Sequence, residues 1–135
     1  MVHENTLSFD IRKSAFQVHT ALGPGLLESV YEIALAYELR QLGYEVKTQV
    51  PLPMEYASQR MDIGFRLDLL VNNRVIIEIK SVDAMLDVHK KQLLTYLKLS
   101  GCKLGLLINF NVAHVKEGIV RIVNGLEEEP QRTSA

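Results

Sequence analysis

Several features that would define a class of protein are scarce in this sequence. It has one cysteine, Cys102, so no internal disulfide can form, and a reducing compartment such as the cytoplasm is expected. No apolar run reaches about 18 residues, so no membrane span is expected. The first ten residues carry acids and lack the apolar stretch of a signal peptide. The formal net charge is only -1, so contact with nucleic acid requires a local basic face or a bound cation.

Length and composition indicate one globular domain. The chain has 135 residues, of which 47% are hydrophobic and 23% are charged, and a chain of this size can bury a core without disulfides. We predict a single domain over residues 1–125. Residues 126–135 are predicted to form a flexible tail, because they are acidic, include a proline and have no apolar period.

Hydrophobic spacing predicts the order ααβββαβ, with a short additional strand at the end. Helices are expected where apolar side chains recur every three or four residues, over residues 7–22, 26–42 and 87–100. Strands are expected over residues 44–50, 65–71, 74–80, 104–110 and 119–123. Pro51 and Pro53 indicate that the first of these strands ends there, at an edge of the sheet. The unbroken apolar run of residues 104–110 predicts a central strand with a parallel neighbour. The expected fold is therefore α/β, with a mixed sheet flanked by helices.

Two acids and a lysine stand out on neighbouring predicted strands. Asp68 lies in the run RLDLL, and Glu78 and Lys80 lie in the run IIEIK. In a strand, Glu78 and Lys80 point to the same face, and charges inside an apolar strand are unfavourable unless they are paired or bind a ligand. A solvent-facing row of paired charges is the ordinary interpretation of this pattern, and a metal site is the functional one.

The length of the loop between these strands decides whether the two acids can meet. A two-residue loop of Asn72 and Asn73 would put Asp68 and Glu78 on opposite faces of the sheet. A three-residue loop that also includes Arg74 would set the two acids directly opposite each other. A metal site therefore requires the longer loop or a bulge.

Two carboxylates facing each other across a strand pair repel, and a divalent cation relieves that repulsion. Oxygen ligands favour a hard ion such as Mg²⁺ or Mn²⁺, with water in the remaining positions. A bound water can attack a phosphodiester while the cation stabilises charge on phosphorus. Lys80 would stabilise the same charge or position the water, and the backbone carbonyl of Ile79 is a further candidate ligand.

Two of the predicted helices offer further candidate residues. Gln92 and Tyr96 are four residues apart and share one helical face, where a glutamine can orient a water or a phosphate oxygen. Taken alone, Tyr96 is more often a packing aromatic. Glu28 and Tyr31 are three residues apart on the second helix. The carboxylate of Glu28 either favours the positive end of that helix or is a third acid facing the metal.

The chain resembles a known family in several ordered segments. Gly25, Glu28 and Tyr31 spell GxxExxY, and further likeness lies in FRLDLLV, IIEIKS, QLLTYLKLSG and LGLLINF. These segments make the chain similar to the GxxExxY proteins, a branch of the PD-(D/E)XK nuclease superfamily. The resemblance implies a restriction-endonuclease-like αβββαβ core. It also implies that Glu28 matches the first-helix acid that some members add to the metal site.

The same resemblance implies roles for the other candidates. Asp68, Glu78 and Lys80 would form the catalytic triplet, with Mg²⁺ or Mn²⁺ as the cofactor. Gln92 and Tyr96 resemble the QxxxY element of the RecB-like nucleases in that superfamily.

Three functions are consistent with these features. The first is a metal-dependent nuclease that hydrolyses phosphodiester bonds in DNA. The second is a non-catalytic nucleic-acid-binding or assembly module that keeps the nuclease fold. The third is a packing subunit whose apolar faces mediate a homodimer. Cleavage with added metal separates the first from the others, and nucleic-acid binding without cleavage separates the second from the third.

Overall fold

The computed structural model describes residues 1–128, apart from the side chains of residues 62 and 63. The helices are α1 (Glu4–Leu22), α2 (Glu28–Gln41) and α3 (Asp87–Ser100), with a short 3-10 helix over Val115–Gly118. The strands are β1 (Val46–Tyr56), β2 (Gln59–Val71), β3 (Val75–Lys80), β4 (Leu104–Asn109) and β5 (Ile119–Val123). The order is the predicted ααβββαβ with the additional strand at the end.

The five strands form one mixed sheet in the order β1-β2-β3-β4-β5. β3 and β4 are parallel, joined by α3 as the crossover helix, and the other neighbouring pairs are antiparallel. All six residues of β4 are buried. The predicted central strand with a parallel neighbour is therefore confirmed, as is the mixed α/β fold.

The sheet separates two apolar cores. The first lies under α1 and α2 and includes Leu7, Leu35 and Ile77. The second lies under α3 and includes Leu93 and Ile76. Neighbouring residues of β3 thus belong to different cores, as the two-residue period of a strand requires. Because β3 is covered on both faces, any charged group on it lies close to low-dielectric surroundings.

β1 and β2 are longer than the sequence predicts. The prediction that β1 lies at an edge is confirmed, but the prediction that it ends at its prolines is wrong, because the strand continues through Pro51 and Pro53. An edge strand tolerates proline where its missing N–H would face away from the neighbouring strand. Ala57 and Ser58 then form the turn into β2, with φ of 50° and 65°. Such paired positive φ values are typical of two-residue hairpins.

The end of the chain is described in part. Leu126 packs against the first core, and the Glu127 carbonyl accepts a hydrogen bond from the ring of His3 at 3.1 Å. The remainder of the predicted tail, residues 129–135, lies outside the described residues. Within residues 1–128, no helix is long and apolar enough to cross a membrane.

Candidate active site

The loop between β2 and β3 has the three-residue length that the site requires. Val71 pairs with Val75, which leaves Asn72, Asn73 and Arg74 between them. The two asparagines have φ of 51° and 54°, the left-handed conformation that asparagine adopts more readily than most residues. The sequence therefore permits the longer loop, and the structure adopts it.

This register brings Asp68 and Glu78 together at the end of the β2–β3 ladder. Regular pairing stops at Leu69 and Ile77. Beyond that pair, the backbone N–H of Asp68 donates to Oε1 of Glu78 at 3.2 Å. The backbone N–H of Ile79 donates to Oδ2 of Asp68 at 2.8 Å. Two carboxylates thus accept N–H groups where the regular backbone pairing has ended.

The alternation of β2 side chains between the two cores is interrupted at Asp68. Leu67 and Leu69 are two residues apart and would share a face in a regular strand. Leu67 nevertheless belongs to the core under α3, and Leu69 belongs to the core under α1 and α2. On the neighbouring strand, Gln49 has φ of 51°, and the Gln49–Asp68 pair is missing from a register that is otherwise continuous from Val46 to Leu52. The site therefore lies at a local irregularity of the sheet, a common location for functional side chains.

Burial and charge raise the pKa of two groups at this site, Glu78 and Tyr96. Glu78 is buried, and burial together with the negative charge of Asp68 raises the pKa of Glu78 to about 9, against the opposing effect of Lys80. Burial, followed by the charges of Glu78 and Asp68, raises the pKa of Tyr96 to about 12. α3 thus brings Tyr96 within electrostatic reach of both acids.

α2 places Glu28 at the end of β3. Oε1 of Glu28 accepts a hydrogen bond from the N–H of Ser81 at 3.3 Å, and the Ser81 hydroxyl donates to the Leu26 carbonyl at 2.7 Å. Ser81 directly follows Lys80. Glu28 therefore lies at the C-terminal end of the strand that carries Glu78, on the exposed side of the loop.

Two residues near Asp68, Gln49 and Glu32, were not predicted from sequence patterns. The side-chain amide of Gln49 donates to Oε1 of Glu32 at 2.6 Å and to Oδ1 of Asp68 at 3.5 Å. The pKa of Glu32 is raised, because burial and the charge of Asp68 together outweigh the hydrogen bond from the Gln49 amide, which lowers it. One signal was available, because Glu32 follows Glu28 by four residues and so shares its helical face.

Tyr31 and Gln92 occupy different surroundings. The Tyr31 ring is fully buried and stacks on Phe110 with centroids 4.4 Å apart. Its hydroxyl donates to the Gly23 carbonyl at 2.6 Å and accepts from the N–H of Leu26 at 3.1 Å, so it closes the loop before α2. Gln92 is half-buried on α3, one turn before the tyrosine beside the acids.

The residues present fit a divalent cation in their chemistry. Asp68 and Glu78 supply carboxylate oxygens, and the backbone carbonyl of Ile79 is next in sequence. The raised pKa of Glu78 means that its charge lacks sufficient compensation from the protein alone. Among residues 1–128, no three His, Cys, Asp or Glu side chains cluster closely enough to hold a metal, so a cation here would complete its shell with carbonyl oxygen and water.

Comparison with known protein families identifies a family for most of the chain. Residues 5–122 match the profile of the PD-(D/E)XK nuclease superfamily. No curated protein and no solved structure matches the chain. The matched segment covers most of the chain and contains the whole sheet except Val123, the last residue of β5. Nucleases of this superfamily generally use divalent metal ions. The chain belongs to the PD-(D/E)XK nuclease superfamily.

Proposed function

We propose that this protein is a Mg²⁺- or Mn²⁺-dependent nuclease of the GxxExxY branch that hydrolyses phosphodiester bonds in DNA. The observation that carries the proposal is the direct contact between Asp68 and Glu78 where β2 and β3 stop pairing. Membership of the superfamily supports the reaction class. The proposed location is the cytoplasm, since the chain has a single cysteine, and Cys102 is buried and free.

The two acids are the proposed metal ligands. Asp68, Glu78 and the Ile79 carbonyl would hold the cation, which when bound supplies an activated water and stabilises charge on phosphorus. The Ile79 N–H orients Oδ2 of Asp68, and the Asp68 N–H orients Oε1 of Glu78. Because these donors belong to the sheet backbone, the separation of the carboxylates is fixed before any ligand arrives.

Lys80 is the proposed electrostatic catalyst. It lies two residues after Glu78 on the same strand, and its charge already lowers the pKa of that acid. During hydrolysis a water oxygen bonds to phosphorus, one phosphorus–oxygen bond to the sugar breaks, and the leaving oxygen takes up a proton. The ammonium group would donate hydrogen bonds to the phosphate oxygens on which negative charge grows.

α3 contributes the proposed positioning residues. Because the pKa of Tyr96 is raised to about 12, its hydroxyl stays protonated near neutral pH and can donate a hydrogen bond to substrate. Gln92, one turn earlier on α3, would orient the attacking water or a phosphate oxygen. Tyr31 is proposed to act indirectly, since its hydroxyl shapes the loop that precedes α2.

α2 contributes two further acids to the proposed site. Glu28 stands at the end of β3 and is proposed as a third acid facing the bound cation and its water. Glu32 acts through Gln49, whose amide connects its carboxylate with that of Asp68. We assign Gln49 and Glu32 a positioning role, because their contact is with a ligand residue rather than with substrate.

The test is cleavage of circular and linear DNA, and of RNA, with Mg²⁺ or Mn²⁺ and with a chelator as the blank. Wild-type protein should cleave DNA only with metal, and Glu78→Gln should lose nearly all of that activity. Glu38→Gln, which removes an acid elsewhere on α2, is the matched control and should cleave like wild type. Binding of DNA without cleavage under every metal condition would contradict the nuclease and support the non-catalytic binding module.

A further inference from the structure

A groove on the outer side of α1 combines exposed rings with positive charge. Its volume is about 400 Å³, and neither Asp68 nor Glu78 lines it. The groove runs between α1, the 3-10 helix and the start of β5. Its lining residues are Phe9, Arg12, Lys13, Phe16, Val115, Lys116 and Ile119.

The two phenylalanines are free to contact a ligand. Phe9 is 67% exposed and Phe16 is 62% exposed, although α1 has a separate buried face that includes Leu7 and Ile11. The fold therefore does not need either ring for its core. Seven residues separate the rings, which is two helical turns or about 10 Å along the axis, so both project from the same side of α1.

The charges around the groove are of one sign. Arg12, Lys13 and Lys116 line it, no acid does, and none of these cations forms an ion pair within residues 1–128. The acid closest to them on α1 is Asp10, whose carboxylate accepts a hydrogen bond from the Tyr44 hydroxyl. This local excess of positive charge contrasts with a net charge of -1 for the whole chain.

The positive surface extends along β5. The Arg121 guanidinium donates to Oδ1 of Asn5 at 2.8 Å, one helical turn before Phe9. Glu117 is exposed beside Lys116 but does not line the groove. A polyanion lying along α1 would therefore meet four cations on this side of the protein.

We propose that this groove binds a single strand of nucleic acid, with bases stacked on Phe9 and Phe16 and phosphates beside Arg12, Lys13 and Lys116. Exposed rings interleaved with cations hold an unpaired strand with little regard to sequence. A duplex keeps its base faces stacked inside, so the rings select the single strand. A second protein copy would use the rings but leave three cations without partners, so the charge favours a polyanion. The proposal takes only its substrate class from the proposed function, since binding here requires neither metal nor cleavage.

Fluorescence anisotropy with labelled oligothymidylate in the presence of a chelator measures this binding without cleavage. Phe9→Ala combined with Phe16→Ala should weaken binding about tenfold or more and remove the preference for oligothymidylate over duplex DNA. Arg12→Ala combined with Lys13→Ala should reduce the slope of log affinity against log salt by about 1.4, since each phosphate contact contributes about 0.7. All four residues are exposed or line the groove, so thermal melts should match wild type.

Matched controls lie on other helices. Tyr37→Ala removes a ring that is 59% exposed on α2, and Lys98→Ala removes an exposed charge on α3. Both controls should bind oligothymidylate like wild type. Equal binding by wild type and both double variants would overturn the proposal, and so would a wild type that binds no nucleic acid. If the groove variants lose a self-association that wild type shows in sedimentation velocity, and still bind the strand, the groove is a homodimer face. That outcome would also overturn the proposal.

Cleavage measured separately with Mg²⁺ distinguishes this inference from the proposed nuclease. A protein that binds the strand through the groove but cleaves nothing contradicts the nuclease and supports the groove. If the protein cleaves DNA and no groove variant changes its strand binding, the nuclease is supported and the proposal for the groove is overturned.

Discussion

The backbone N–H of Asp68 donates to Oε1 of Glu78 at 3.2 Å, so one acid of the site is held by the main chain of the other. Neither carboxylate can move far without losing a hydrogen bond to the opposite strand, because Asp68 is itself held by the N–H of Ile79. This mutual arrangement keeps two carboxyl groups adjacent, of which Glu78 is buried and Asp68 half-buried. Its consequences can be measured in the metal-free protein and on metal binding.

Mg²⁺ binding should release close to one proton near neutral pH. The pKa of Glu78 lies at about 9, so this acid is protonated at pH 7 and must ionise before it binds a cation. Affinity should therefore rise as pH increases toward 9. Titration calorimetry in buffers of different ionisation enthalpy gives the proton count, and Glu78→Gln should show no proton release. Equal heats in all buffers would contradict a protonated Glu78.

Glu78 should make the free energy of unfolding fall as pH rises from about 4.5 to about 9. The acid ionises at about 4.5 when unfolded and at about 9 when folded, so in this window the folded state binds more protons. The stabilising effect is thus complete below 4.5 and lost as pH passes through 9. Urea unfolding of wild type across this range should show the decline.

Glu78→Gln should be more stable than wild type near pH 8, by about 1–2 kcal/mol. The glutamine oxygen can still accept the N–H of Asp68, and folding at pH 8 no longer has to protonate an acid that is ionised in the unfolded chain. Glu78→Ala is the informative contrast, because it leaves that N–H without an acceptor and opens space in the core under α3, so it should be less stable than Glu78→Gln. Identical pH profiles for wild type and Glu78→Gln would show that this acid is not responsible.

Lys80→Ala should lose about 100- to 1000-fold in the cleavage rate, the range typical of removing one donor that stabilises a transition state. Mg²⁺ affinity should stay the same or increase, because lysine is not a ligand and its removal takes away a competing positive charge. Single-turnover cleavage and calorimetry separate the two effects. Lys98→Ala serves as the control, and a parallel loss of metal binding in Lys80→Ala would assign Lys80 a structural role.

Tyr31→Phe should destabilise the protein by about 1–2 kcal/mol through the loss of two hydrogen bonds of its hydroxyl. These bonds hold the Gly23 carbonyl and the Leu26 N–H in the loop before α2. The ring itself should remain stacked on Phe110. Urea unfolding gives the change, and Tyr37→Phe, on the exposed side of α2, should have no effect. Stability equal to wild type would show that the loop is held by its backbone alone.

Sequence patterns sufficed for those parts of the site that depend on local geometry. The alternation around Glu78 and the asparagines of the loop restricted the register to two choices, and one of them joined the acids. The contact of Gln49 with Glu32 and Asp68 could not be predicted from sequence, since it depends on an irregularity shared by two strands. Proline patterns also misled, because the same residue ends an inner strand but is tolerated at an edge.

The magnitude of the pKa shift at Glu78 was likewise not predictable from spacing. Repulsion by Asp68 and attraction by Lys80 are both visible in the sequence, and they oppose each other. The largest contribution comes from burial, which depends on how α3 packs over β3. Long-range packing therefore determines the direction of the pKa shift at Glu78, which the neighbouring charges alone do not.

The three-residue loop between β2 and β3 makes the site more vulnerable to deletions than to substitutions. Removing one of its residues would shift β3 by one position against β2, and a one-position shift exchanges the two faces of a strand. Glu78 would then turn toward α1 and α2, and an isoleucine would stand opposite Asp68. Exchange of either asparagine for glycine would leave this count intact. The site therefore depends on the number of residues in this loop more than on their identity.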